Sequence, residues 1–277
     1  MSPAERLDAD PVAGPASEPA VLRARDAGLE LGGRTVLDGV DLEIRAGEVL
    51  AIVGPNGAGK SSLLAMLSGE RAPSRGAVEL DGRPLASFSP VELAQRRAML
   101  TQDNALSFPF RVREVIEMGR SPWQRAPERE RDEGAMISAA ARADVTHLLH
   151  RRFTELSGGE RARVSLARVL AQDTPVVILD EPTAALDLRH QEDVLRVARA
   201  LAAIGGAVVV VLHDLSLAGS VADRVALLAA GRLLAVGAPR EVLTAESVGA
   251  VYRIEVDVIE HRGRLLVVPA DPRARPE

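Results

Sequence analysis

Apolar and polar side chains alternate between residues 36 and 44, as in Val40-Asp41-Leu42-Glu43-Ile44, which is the period of a strand with one face buried. This segment predicts an antiparallel sheet near the N-terminus. Val49–Val53 is a short continuous apolar run between Gly47 and Gly54, the pattern of a strand covered on both faces. From Lys60 the spacing of Leu63, Leu64 and Leu67 suits a helix that Gly69 ends. The local order is therefore strand, glycine-rich loop, helix. Ala77–Leu80 with Asp81-Gly82 reads as strand and turn. Ser89-Pro90-Val91-Glu92 is a capping box with proline at the first helical position, opening a helix through about Arg97.

Met99–Thr101 predicts a strand end leading to Gln102, and Val112–Met118 a short helix after a proline-interrupted loop. Residues 125–152 are rich in Arg, Glu and Ala, as expected of a helical insertion whose charges face water; the Glu128–Glu133 run fits a solvated helix face. Val176–Leu179 and Ala207–Leu212 are two further buried-strand runs, with a helical stretch from Leu188 to Leu201 between them. Repeated strand–helix–strand units argue for a parallel sheet covered on both sides. Val225–Ala229 with Leu233–Val236, and Val256–Ile259 with Leu265–Val268, predict two hairpins. No internal repeat is evident.

Composition narrows the class. At 277 residues the chain can bury a sizeable core, and its net charge of −5 with 26% charged residues is ordinary for a globular protein. Without cysteine there is no disulfide, thiolate metal site or cysteine nucleophile, which makes a cytosolic setting the expectation. The longest unbroken apolar run, Ala207–Leu212, is far short of the roughly 20 residues that span a bilayer. Residues 1–20 carry acidic side chains among Pro and Ala, without the basic start and apolar middle of a secretory signal. They read as a disordered tail ahead of a domain over 21–268, with 269–277 a second tail. Four Phe, one Trp and one Tyr leave little to stack bases on, so nucleic acid is not expected as a partner.

Gly54-Pro55-Asn56-Gly57-Ala58-Gly59-Lys60-Ser61 fits G-x-x-x-x-G-K-[ST] in the strand-to-helix context that motif requires. Its backbone N–H groups can turn inward as an anion nest, Lys60 can reach the β and γ phosphates, and Ser61 offers a hydroxyl to Mg²⁺. Asp180-Glu181-Pro182 follows a buried strand, at the edge where open α/β sheets bind ligands. Asp180 is suited to holding Mg²⁺ through its water shell, and Glu181 to polarising an attacking water as general base. Leu156-Ser157-Gly158-Gly159-Glu160 opens a helix; Ser157 is either a plain cap or part of a second anion site. His213 directly follows the third buried strand, in a chain of five histidines. His147 and His150 at i, i+3 lack an evident third ligand and read as structural.

These motifs, in this order, resemble the ATP-binding subunit of ABC transporters from about Leu22 to Val268. The resemblance implies a P-loop NTPase fold of the α/β class. Its parts are a mostly parallel core sheet, an N-terminal antiparallel β subdomain and a helical signature subdomain at about 103–170. ATP and Mg²⁺ are the implied cofactors. Gly54 to Ser62, Ser157, Gly158, Gly159, Glu160 and Asp187 would bind nucleotide, while Lys60, Gln102, Glu181 and His213 would act in catalysis. Ser61, Gln102 and Asp180 would hold the metal. Gln102 corresponds to the glutamine that senses Mg²⁺ and water, Ala185-Leu186-Asp187 to the loop crossing the dimer interface, and His213 to the histidine on the γ-phosphate. Two copies would meet head to tail, the Ser157 loop of each closing on the other's ATP.

The absence of a membrane segment implies a separate permease, hence an importer. Gln102–Trp123, with Leu106-Ser107-Phe108-Pro109-Phe110 and Met118-Gly119-Arg120-Ser121-Pro122-Trp123, resembles the iron-siderophore, vitamin B12 and haem importer group. Within that group the chain looks most like the haem-import ATPases, a likeness strengthened by Thr154-Glu155-Leu156 and Glu260-His261-Arg262-Gly263. The implied partners are a second ATPase copy, two copies of an integral permease and, indirectly, a periplasmic haem-binding protein. The implied place is the cytoplasmic face of a bacterial inner membrane. A siderophore or cobalamin importer, or an ABC ATPase acting on ribosomes or DNA, are the alternatives; the latter usually carry two nucleotide units or a long coiled coil. Phe108, Pro109 and Phe110 are either a permease-docking knob or core. One position departs from the family pattern: Leu31, before Gly32-Gly33, stands where an aromatic residue often stacks on adenine, so weak base selectivity is expected.

Overall fold

The computed structural model describes residues 20–101, 109–184 and 186–270. The expected tails, Gln102, Phe108 and Ala185 lie wholly or largely outside them.

The chain opens with β1 (Ala20–Leu31), β2 (Arg34–Arg45) and β3 (Val49–Val53), followed by α1 (Lys60–Leu67), β4 (Arg75–Leu80) and β5 (Arg83–Pro84). Next come α2 (Pro90–Arg96), β6 (Arg97–Leu100), α3 (Val112–Glu117), α4 (Asp132–Arg142), α5 (Gly158–Ala171) and β7 (Val176–Asp180). The remainder is α6 (Leu188–Ala203), β8 (Ala207–Val211), α7 (Leu215–Val221), β9 (Arg224–Ala229), β10 (Arg232–Gly237), α8 (Pro239–Val242), α9 (Ala245–Tyr252), β11 (Val256–His261) and β12 (Arg264–Pro269).

The central sheet has the order β10-β9-β3-β8-β7-β6, parallel from β9 through β6 with β10 antiparallel at one edge. Every residue of β3, β7 and β8 is buried, and the two-residue period of a strand divides them between two cores. Val49, Ala51, Val53, Val177, Leu179, Val208 and Val210 face the core lined by α3 to α7. Leu50, Ile52, Val176, Ile178, Val209 and Val211 face the core shared with α1 and the antiparallel sheet β2-β1-β4-β5. Full burial of each such side chain contributes about 1.5–3 kcal/mol. On α6 the buried residues Val194, Leu195, Ala198, Leu201 and Ala202 follow the helical period.

Several expectations shift. The helix opened by the Ser89 capping box stops at Arg96, because Arg97 already pairs with Val176 in the sheet. The insertion over 125–152 contains one α-helix, α4, flanked by 3-10 turns. Its acidic run is not wholly solvated: Asp132 Oδ1 accepts from Arg120 Nε at 2.7 Å, and Arg120 is only 2% exposed. The same guanidinium donates to the carbonyls of Ala171 (2.9 Å), Gln172 (3.4 Å) and Glu128 (3.2 Å). It also lies 5.3 Å from the Trp123 ring centre. Trp123 Nε1 and Gln95 Nε2 donate to Gln172 O and Pro122 O, while Gln172 Nε2 reaches Ala94 O and Arg97 O. The Met118–Trp123 segment is thus a polar interlock joining α2, α4 and the end of α5. Of the docking knob, Phe110 is half-buried against the core, whereas Pro109 is exposed.

Candidate functional site

Parallel pairing aligns the C-terminal ends of sequence-distant strands. Ile52 sits opposite Val211, Asp180 opposite Val211, and Leu100 opposite Leu179. The loops leaving β3, β7 and β8 therefore open on the same side, and between them lies a pocket of about 280 Å³. Val36, Asn56, Gly57, Gly59, Lys60, Ser61, Ser62, Glu181 and His213 line it.

The floor is the loop from Gly54 to Gly59. Gly59, the residue preceding α1, has φ of 104°, and Gly57 has φ of 77°, backbone that residues with a Cβ rarely adopt. No side chain caps α1, so its first N–H groups and the helix dipole are available to an anion. Ala58 is buried, and its carbonyl accepts from Gly231 N at 3.0 Å, while Gly231 O accepts from Asp38 N at 2.9 Å. The β9–β10 turn thereby joins the loop to β2. Lys60 is 6% exposed, and its Nζ donates to the carbonyls of Gly54 (2.7 Å) and Pro55 (3.1 Å). Burial lowers its pKa, opposed by the charges of Glu181 and Asp180.

Asp180 closes β7 at 8% exposure, and its Oδ1 is buried without a hydrogen-bond partner. Burial, followed by the neighbouring Glu181 charge, holds its carboxyl above the usual range, with Lys60 pulling the other way. Glu181 occupies the left-handed region with φ of 49°. That conformation is uncommon for a residue with a side chain, and such strain concentrates at functional sites. Its Oε1 meets His213 Nε2 at 2.5 Å, joining the ends of β7 and β8 above the loop.

The other residues singled out in the sequence lie elsewhere on this chain. Ser157 caps α5: its Oγ accepts from Glu160 N at 3.3 Å, and Glu160 Oε2 accepts from Ser157 N at 2.8 Å. Gly158 and Gly159 form the first turn of the helix. Asp187 caps α6, accepting from His190 N at 2.9 Å and meeting His190 Nδ1 at 2.7 Å. Neither cap lines the pocket. Val36 does, and the sequence reading missed it; it lies on β2, whose Val36 carbonyl stands beside Gly59 of the phosphate loop. Among the described residues no group of three His, Cys, Asp or Glu is arranged to hold a metal ion. No helix among them is long and apolar enough to cross a membrane.

Residues 37–184, more than half of the chain, match the family described as ABC transporter. The Hemin import ATP-binding protein HmuV of Nocardia farcinica is 55% identical over 262 residues, 92% of this chain and 91% of that protein. Its counterpart from Streptomyces coelicolor is 56% identical over 263 residues, 94% of each chain. The chain belongs to the ABC transporter family. Its fold is that of an ABC cassette: a chain from an inward-facing metal-chelate type ABC transporter superposes with TM-score 0.77 at 27% identity, covering 92% of this chain and 99% of that one. A dimeric ATP-binding cassette in a post-hydrolysis state with ADP and Pi superposes with TM-score 0.70 at 26% identity, covering 79% and 99%. Membership makes the chain an ATP-binding ATPase coupled to transport, the motor of an ABC importer. Such a subunit works with a membrane permease and dimerises.

Proposed function

We propose that this ABC ATPase powers haem import. Two copies of the chain serve two copies of a separate permease on the cytoplasmic face of a bacterial inner membrane, with a periplasmic haem-binding protein delivering cargo. Support for the cargo comes from relatives named for hemin import, at 47% to 56% identity and over at least 90% of this chain. The observation that carries the hydrolytic reading is the convergence of Lys60, Glu181 and His213 on one pocket from the ends of three adjacent parallel strands.

In this reading Gly54 to Ser62 cradle the triphosphate, and Lys60 exchanges the Gly54 and Pro55 carbonyls for β- and γ-phosphate oxygens. Glu181 accepts a proton from water as the water oxygen bonds to the γ-phosphorus and the bond to the β,γ-bridging oxygen breaks, leaving ADP and phosphate. His213, already joined to Glu181, contacts the γ-phosphate. The helix start at Ser157, Gly158, Gly159 and Glu160 of one copy closes on the nucleotide held by the other, with Asp187 at the crossing. Gln102 reports the nucleotide state to the permease. The residues also fit Mg²⁺. A buried, unpartnered Asp180 Oδ1 suits a hard cation that needs only one or two carboxylates beside phosphate oxygens and water. Asp180, Ser61 and Gln102 would hold it, and when bound it neutralises charge on the phosphate oxygens.

The test is reconstitution in liposomes with the permease encoded beside this chain. ATP-dependent uptake of haem, with none of ferric siderophore or cobalamin, is the expected result. Uptake of either of those instead of haem refutes the cargo, and no nucleotide-dependent uptake of any of them refutes the importer.

A further inference from the structure

The C-terminal unit of α9, β11 and β12 lies beyond the matched residues 37–184, yet it is fastened to α6 and to α7, the helix that follows the pocket residue His213. The firmest attachment is to α7, which starts two residues after His213. Asp214 caps this helix, its Oδ1 accepting from Ser216 N (2.8 Å) and Leu217 N (3.0 Å). The opposite side of the same turn is held from outside: Val267 N on β12 donates to Ser216 Oγ at 3.0 Å. One turn on, Gly219 lets β12 approach closely, since a Cβ there would lie 3.2 Å from Leu265 Cβ.

A second attachment runs from Arg264 Nη1 to Glu192 Oε1, 2.8 Å, on α6, the helix capped by Asp187. Tyr252 of the same unit packs its ring against the main core. One small unit therefore holds both the helix after Asp187 and the helix after His213.

We propose that this C-terminal unit is a positioning clamp for the nucleotide site, with Ser216 as the positioning residue that sets the His213 imidazole without touching nucleotide. The proposal rests on the ATPase reading above. A lone short helix such as α7 is marginal in water, so its orientation, and with it the direction of His213, follows what packs on it.

The test uses the full chain and two substitutions of Ser216, one that deletes its hydroxyl and one that keeps it. Ser216→Ala is expected to lower kcat for ATP about 5- to 20-fold, below the ~100-fold that a 1 Å misplacement can cost, with KM nearly unchanged. Ser216→Thr, which keeps the hydroxyl, restores kcat. Melting temperatures should stay within about 2 °C of wild type, equivalent to less than 1 kcal/mol in a chain this size. The clamp is overturned if Ser216→Ala keeps wild-type kinetics, or if Ser216→Thr is as impaired as Ser216→Ala. An inactive wild-type chain would refute the ATPase reading instead. The clamp is then judged by the His213 C2–H NMR resonance, assigned with His213→Gln: Ser216→Ala must move that resonance and leave those of the other four histidines in place, and an unmoved resonance refutes it.

Discussion

Replacing Arg120 with methionine removes a guanidinium from the interlock while keeping a chain of similar length and apolar character. Four hydrogen bonds go with it: the 2.7 Å ion pair to Asp132 and the contacts to the carbonyls of Ala171, Gln172 and Glu128. Breaking a buried pair from one side costs about 3–5 kcal/mol because the remaining charge is stranded. Asp132 is 26% exposed on its side chain and recovers part of its hydration. The Ala171 carbonyl, its partner gone, adds about 1–3 kcal/mol. A net loss of about 3 kcal/mol is expected, a large share of the ~5–15 kcal/mol available to a domain. At about 2–4 °C per kcal/mol for chains of this order, Tm should fall by roughly 6–12 °C. Circular dichroism melts of the wild type, Arg120→Met and Arg120→Lys measure it. The lysine variant should fall in between, because one ammonium cannot span acceptors on three segments. A Tm loss under about 2 °C for Arg120→Met, or a lysine variant equal to wild type, refutes the interlock.

Glu181→Gln should slow hydrolysis by about 10²- to 10⁴-fold, the range for removing a general base, while leaving ATP bound and the dimer closed; single-turnover rates and gel filtration with ATP check this, and wild-type turnover rejects the assignment. Asp180→Asn should abolish hydrolysis yet stabilise the nucleotide-free chain at neutral pH by about 0.5–2 kcal/mol. The raised Asp180 pKa means that its favourable contribution is present only below the ordinary carboxylate range and is lost as pH rises through the raised value. The advantage of the variant must therefore shrink toward pH ~4, and a urea-midpoint difference independent of pH contradicts this. Base recognition should be weak, because Val36 is the apolar wall of the pocket and, among the described residues, no aromatic side chain lines it, whereas stacking contributes about 1–3 kcal/mol per base. GTP should be hydrolysed within about tenfold of ATP, and a much larger preference in side-by-side assays would reveal another residue reading the base.

The features legible in the sequence were those carried by neighbouring residues. The strand–loop–helix around Gly54–Ser61, the Ser89 and Ser157 capping boxes and the three fully buried strands all depend on local spacing, and the structure has each of them. Features resting on distant partners were hidden. Asp132 looked like one more solvated charge because Arg120 comes from a different turn. The full twelve-residue β1 is irregular, with several register shifts against β2, which blurs its alternation. Helices α7 and α9 are seven and eight residues long, too short for a 3.6-residue period to stand out. Phe110 and Val36 illustrate a further limit: an apolar residue in a loop or at a strand edge does not reveal from sequence whether it faces core or ligand.

The inward-folded Lys60 has a bearing on which solutes the pocket favours. Its ammonium is already satisfied by two carbonyls of its own loop, so chloride or a lone sulfate must outcompete neutral oxygens that cost no translational freedom to hold. A polyphosphate chain can do so, since a single tether brings several anionic oxygens to the loop amides and the ammonium together. The loop is in that sense latched against simple salts and opens to a chelating visitor.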